Sequence, residues 1–133
     1  MAQKRRILVV EDDRSVGEFV AARLEHEGYK VVVAMDGEEG VKRATEDGTF
    51  DLILLDIKLP KLDGFEVCKR LKAQPVTAKI PVIIFTGSST YQTDLADRCI
   101  ELGVQGWLVK PLDSKALLAY IRRTLQKEER ANG

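Results

Sequence analysis

Five short apolar runs punctuate the chain: Ile7 to Val10, Val31 to Ala34, Leu52 to Leu55, Val82 to Phe85 and Trp107 to Val109. Each is continuous rather than alternating. That pattern belongs to strands covered on both faces, as in a parallel sheet flanked by helices. Between the runs, apolar residues recur at helical spacing. Val16, Phe19, Val20 and Leu24 form one stripe, Leu95, Cys99 and Leu102 a second, and Leu117, Ile121 and Leu125 a third. Shorter stripes around Val41 to Ala44 and along Val67, Cys68 and Leu71 occupy the remaining intervals. Strand-helix alternation with short connections requires right-handed crossovers. The fold class is therefore α/β, a doubly wound sheet of five parallel strands with helices on both faces.

Polar punctuation agrees with this layout. Asp36 and Glu39 have the spacing of a capping box, in which side chains answer the free N–H groups of a helix start. Gly28, Gly48 and Gly103 each follow a helical stripe, where a left-handed residue closes the last turn. Pro75 falls after the third helix and Pro81 opens the fourth strand, both positions that tolerate a missing N–H. The polar stretch 127–133 reads as a fraying tail.

Composition narrows the function classes. With 133 residues, 44% apolar and 32% charged, the chain has the size and balance of one soluble domain. Lys plus Arg equals Asp plus Glu at 21 each, so no global field draws it to nucleic acid or anionic membrane. The apolar run after the basic start ends after four residues, which excludes a signal peptide reading, and no run suits a membrane span. Cys68 and Cys99 are expected to be small buried hydrophobes in a reducing cytosol. His26 is expected to be a polar residue near a helix end rather than a base.

In a doubly wound sheet the ligand site lies beyond the carboxyl ends of the strands. After the first run come Glu11, Asp12 and Asp13; after the third, Asp56; after the fourth, Thr86; after the fifth, Lys110. Each has an ordinary reading alone, as a helix cap or a turn residue. The fold brings all of them to one sheet edge. There the carboxylates of Glu11, Asp12 and Asp56 would repel one another, and a hard divalent cation such as Mg²⁺ is the natural compensation. Lys110 adds a point charge suited to phosphate, and Thr86 a hydroxyl that can donate to a phosphoryl oxygen. An aspartate nucleophile forming an aspartyl-phosphate fits this set. A Gly-rich nucleotide loop is missing after the first run, which points to a phosphoryl acceptor rather than an ATP-using kinase.

These residues resemble the receiver domain of two-component response regulators, from Arg6 to about Gln126. The matching motifs are Ile7 to Asp13, the stretch Leu54-Leu55-Asp56-Ile57-Lys58-Leu59-Pro60-Lys61-Leu62-Asp63-Gly64, Thr86-Gly87 and Lys110-Pro111. The resemblance implies a receiver domain over 1–126, of stand-alone, chemotaxis-regulator size, with a flavodoxin-like sheet in the order 2-1-3-4-5. It implies phosphorylation of Asp56, with Thr86 and Lys110 on the phosphoryl oxygens. Mg²⁺ would be held by Asp12, Asp56 and the backbone carbonyl of Lys58, and by Glu11 through water. Lys110-Pro111 would be a cis peptide. Trp107 would be the switch aromatic, following Thr86 when phosphorylation draws it in, or else a plain gap filler. As implied, the protein is no enzyme beyond its own phosphorylation and dephosphorylation.

The implied partners are a sensor histidine kinase or histidine phosphotransfer protein and a downstream protein target. Neither nucleic acid nor membrane would be bound directly, and the setting would be cytoplasmic. A homodimer would form through the fourth helix, fifth strand and fifth helix. No helix-turn-helix fits after Lys127, so the chain is a stand-alone regulator, a relay intermediate, or a domain of a longer protein. Two features depart from the family pattern: the loop after Thr86 is about two residues longer, and Lys58 and Ser88 occupy positions that tune phosphoryl lifetime. Tyr91 is expected to be exposed. Competing readings are a haloacid-dehalogenase-type phosphatase, which wants an acid where Lys58 stands, and a flavodoxin-like flavin carrier, whose phosphate Glu11, Asp12 and Asp13 would repel.

Overall fold

The computed structural model describes residues 4–47, 50–87, 92–110 and 113–132. Strands β1 (Arg6–Val10), β2 (Lys30–Ala34), β3 (Leu52–Asp56), β4 (Val82–Thr86) and β5 (Gly106–Val109) alternate with helices α1 (Arg14–His26), α2 (Gly37–Glu46), α3 (Gly64–Ala73), α4 (Gln92–Leu102) and α5 (Ser114–Asn132). The strands form one sheet in the order β2-β1-β3-β4-β5, every pair parallel. This is the doubly wound order and fold class expected from the sequence. Gly48, Ser88, Tyr91 and the Lys110-Pro111 peptide fall outside the described residues, as does the side chain of Leu95.

Continuous apolar runs arise because successive strand residues feed two separate cores. Leu8, Val10, Ile53, Leu55 and Ile84 face one way and pack with Ala44, Val67, Cys68, Leu71 and Cys99 from α2, α3 and α4. Ile7, Val9, Leu52, Leu54, Ile83 and Phe85 face the other way, against Val20, Leu24, Leu117, Ile121 and Leu125 from α1 and α5. The strand period of two thus assigns each residue to a face, and both faces of the central strands β3 and β4 are dry.

Two expectations need correction. Phe19, placed by its spacing on the α1 stripe, is 52% exposed, and the buried line of that helix is Gly17, Val20 and Leu24. Gly17 sits there because a Cβ would press on Val33. The stretch 127–133, read as a fraying tail, is helical as far as Asn132. Thr124 and Leu125 are buried, and an ion pair from Glu129 to Arg5 ties the late turns of α5 to the start of β1.

The capping readings at Asp36, Gly28 and Gly103 are seen in the structure, with the Glu39 carboxylate displaced by one residue from the cap N–H. Asp36 accepts from the Glu39 N–H at 2.8 Å, and the Glu39 carboxylate reaches back to the Met35 N–H at 3.4 Å. Gly28 and Gly103 adopt φ of 97° and 71° after α1 and α4. The one described non-glycine residue with positive φ is Lys61, at 68°, in the loop between β3 and α3. A Cβ in that region costs about 1 kcal/mol, and the Lys61–Asp36 ion pair at 3.5 Å, with its lysine exposed, returns little of it. Lys61→Gly should therefore stabilise the fold by up to about 1 kcal/mol, read as a higher urea midpoint with unchanged m-value. A lowered midpoint would show that the ion pair to the α2 cap outweighs the strain.

Candidate functional site

Four strand ends meet at the carboxyl edge of the sheet. Glu11 follows β1 directly, continues its ladder through an N–H bond to Ala34 O at 2.9 Å, and is 1% exposed. Asp56 closes β3 at 4% exposure, and Thr86 closes β4 at 1%. Lys110 follows β5, placed by its N–H bond to Thr86 O at 2.8 Å. Its ammonium bridges Glu11 Oε1 at 2.5 Å and Asp56 Oδ2 at 3.2 Å, and stands 4.9 Å over the Phe85 ring. The second Asp56 oxygen accepts from the Ile57 N–H at 2.7 Å. A cavity of about 190 Å³ opens among Asp56, Lys58, Thr86, Gly87 and Lys110.

The loop after Asp56 is built to hold that carboxylate in place. Asp63 caps α3 by accepting from Glu66 N at 3.0 Å, and the Gly64 N–H returns to Ile57 O at 2.8 Å. That return brings Gly64 so close that a Cβ would overlap the Asp56 carbonyl and stand 2.8 Å from Ile57 Cα. The spacing of Asp56, Pro60, Asp63 and Gly64 is therefore one closed turn.

Glu11, Asp12 and Asp56 each place a carboxylate oxygen within 4.8 Å of the others. Asp13, adjacent in sequence, has a different role. It caps α1, accepting from Ser15 and Val16 N–H groups at 3.0 and 3.2 Å, and the Ser15 hydroxyl holds its carboxyl below the ordinary range. Burial, together with the neighbouring Asp56, pushes the Glu11 carboxyl up despite Lys110. Partial burial and Glu11 push Asp12 up as well. For Lys110, burial disfavours the ammonium, but its bonds to the two acids outweigh that and raise its pKa. Negative charge is thus in excess at a point open to solvent through Asp12, which is exposed. Oxygen ligands of this kind, with room for water, suit a hard cation such as Mg²⁺.

The sequence that carries this site matches a known family. The model of the response regulator receiver domain matches residues 7–122. The chain belongs to the response regulator receiver domain family. The response regulator ArlR of Staphylococcus saprophyticus is 37% identical over 127 residues, covering 96% of this chain and 55% of that protein. The DNA-binding dual master transcriptional regulator RpaA of Synechocystis sp. is 38% identical, covering 94% of this chain and 51% of that protein. The chain spans about half the length of these relatives. A CheY-like receiver domain protein of Methanospirillum hungatei superposes with a TM-score of 0.86 at 31% identity, covering 97% of this chain and 99% of that one. The receiver domain of a Pseudomonas aeruginosa sensor histidine kinase, with a magnesium ion coordinated in its active site cleft, does so with a TM-score of 0.78 at 30% identity, covering 94% and 97%.

Membership in this receiver family leaves the phosphatase reading without support, in line with Lys58 standing where that chemistry needs an acid. The structure brings together all of Glu11, Asp12, Asp56, Thr86 and Lys110, with Lys58 on the rim. Trp107 lies apart, 38% exposed on β5. The cysteines are free and buried, and burial pushes the Cys99 thiol up to about 11. His26 is an exposed residue in the last turn of α1.

Sequence reasoning missed a second cavity of about 410 Å³ beside the first, lined by Asp12, Ile57, Lys58, Leu59, Asp63, Phe65 and Arg98. Arg98 carries no motif, and only the packing of α4 against α3 places it there.

Because Glu11 holds its proton more tightly in the folded chain, the native state binds more protons than the unfolded one from the ordinary 4.5 upward. Without divalent cations, stability should fall as pH rises through that window. Glu11→Gln should flatten the fall by up to ~1.4 kcal/mol per pH unit, the limit for one proton. Urea midpoints across this range in a chelator would show it; identical slopes in both proteins would contradict the burial argument.

Proposed function

We propose that this receiver takes a phosphoryl group onto Asp56 from the phosphohistidine of a sensor kinase or phosphotransfer protein in the cytoplasm. The observation that carries the reading is the Lys110 ammonium bridging Glu11 and Asp56, with the Thr86 hydroxyl group on the same cavity. Asp56 is the nucleophile. The Ile57 N–H fixes one of its oxygens, leaving the other toward Lys110 and the cavity. Lys110 and Thr86 then hold phosphoryl oxygens, and Lys110 exchanges a carboxylate partner for a phosphoryl one without leaving its place. Asp12, Asp56 and the Lys58 carbonyl would hold Mg²⁺, with Glu11 reaching it through water; when bound, the ion neutralises charge on the transferring group.

The same cavity explains how the signal leaves. An added charge of roughly −2 on Asp56 draws the Thr86 hydroxyl inward. Thr86 and Trp107 share the sheet face of α4, on adjacent strands and two register positions apart through the Thr86–Val109 and Ile84–Trp107 pairs. Trp107 then closes on the space that Thr86 vacates. Ile100, Trp107 and Val109 are exposed apolar residues of α4 and β5. They form the contact surface for a downstream protein or for a second copy through α4, β5 and α5. The protein's own catalysis extends no further than gaining and losing its phosphoryl group. No helix among the described residues is long and apolar enough to cross a membrane.

Incubation with Mg²⁺ and acetyl phosphate should add one phosphoryl mass to the intact protein, and Asp56→Asn or chelation should abolish it. Trp107 is the only tryptophan, so its emission reports the switch directly. Phosphorylation should shift that emission to the blue in the wild type but not in Thr86→Ala, which still gains the phosphoryl mass. A phosphoryl mass gained by Asp56→Asn would remove Asp56 from its role.

A further inference from the structure

The cavity of about 410 Å³ beside the phosphoacceptor has its own chemistry. It shares Lys58 with the Asp56 cavity and Asp12 with the acidic cluster, so the two spaces adjoin beside the phosphoacceptor. Of its two acids, Asp63 is committed to capping α3, and Asp12 belongs to the cation cluster. The other two charged residues of the lining are Lys58 and Arg98. The Arg98 guanidinium carbon lies 3.6 Å from the centroid of the Phe65 ring, and Phe65 is 3% exposed. A guanidinium stacked on a buried ring is fixed in orientation and keeps its N–H donors pointing outward along its edge. Planar paired donors of this kind match a carboxylate.

We propose that this cavity is a leaving-group subsite for acyl phosphates, and that Arg98 receives the departing carboxylate. The inference rests on the reading of Asp56 as phosphoacceptor. An Asp56 oxygen attacks phosphorus, the bond from phosphorus to the acyl oxygen breaks, and its electron pair leaves on the carboxylate. No proton changes hands, and the total charge is conserved. Negative charge therefore grows on the acyl oxygens as the bond breaks, which is where a positioned guanidinium lowers the barrier. A donor whose leaving group is ammonia gains nothing from it. Arg98 thereby makes the site selective for acyl phosphates among small donors.

The test compares phosphorylation by acetyl phosphate and by phosphoramidate in the wild type, Arg98→Gln and Arg98→Lys, followed by intact mass. Arg98→Gln should slow transfer from acetyl phosphate about tenfold or more, as for a lost bond to a charged group, and leave phosphoramidate unchanged. Arg98→Lys should recover part of the loss. Acetonylphosphonate, which carries the acyl arm but cannot transfer, should raise the melting temperature of the wild type more than that of Arg98→Gln, whereas methylphosphonate should raise both alike. Equal slowing with both donors would overturn the subsite and make Arg98 a prop for Phe65, as would an unchanged acetyl phosphate rate. A wild type phosphorylated by neither donor would overturn the Asp56 reading as well.

Discussion

Everything at the carboxyl edge of this sheet depends on one lysine neutralising two buried acids. Glu11 and Asp56 stand at the ends of adjacent strands, 1% and 4% exposed, where like charges repel strongly. Lys110 comes from the far side, over the Phe85 ring, and bonds both. Such an arrangement is balanced only in part, since the Glu11 carboxyl remains raised with the lysine in place. The residual negative charge is what suits the site to a hard cation. A fully neutral cluster would have no such appetite.

Holding Asp56 at that point is the work of a loop with little freedom. The overlap that any Gly64 side chain would make with the Asp56 carbonyl ties the start of α3 to the end of β3. On the other side, the Gly37 N–H bonds Pro60 O at 3.3 Å, and Gly37 lies so close to Leu62 that a Cβ there would overlap its backbone. The start of α2 therefore braces the loop from behind. Lys61 accepts a left-handed conformation between these two contacts because both of its neighbours are already pinned.

How much of this was legible from the residues alone follows from what each signal measures. Continuous apolar runs report burial on both faces, so β1, β3 and β4 were plain, and their five buried positions confirm it in β3 and β4. The β2 run reads the same, yet an edge strand is covered less, and Val31, Val32 and Val33 are half-buried. The spacing that put Phe19 on the α1 stripe cannot see that it lies on the solvent side of the buried line Gly17, Val20 and Leu24. For the site, Asp56, Thr86 and Lys110 were visible because each interrupts an apolar run at its end. That Asp12 joins the acids while Asp13 caps a helix is a matter of backbone direction that identical side-chain chemistry hides. Arg98 had no signal at all: in the helix Gln92–Leu102 it is one charged residue among several, and its position over Phe65 depends on the angle between two helices.

The division of the sheet into two cores also bears on where a change at Asp56 can travel. Thr86 continues the alternation of Val82 and Ile84, which pack toward α2, α3 and α4, whereas Phe85 beneath Lys110 belongs to the core under α1 and α5. On the proposed reading, Lys110 keeps its seat over Phe85 while Thr86 moves, so the α1 and α5 side is left undisturbed. The α4 side has slack to respond: β5 is an edge strand, Trp107 and Val109 are partly exposed, and Ile100 is 73% exposed. Close-packed cores compress little and pass strain on to whichever neighbouring surface can yield. On that reading one face of the sheet would serve as the anvil and the other as the moving part, and the direction of signalling would be set by which of two adjacent residues, Phe85 or Thr86, meets the new charge.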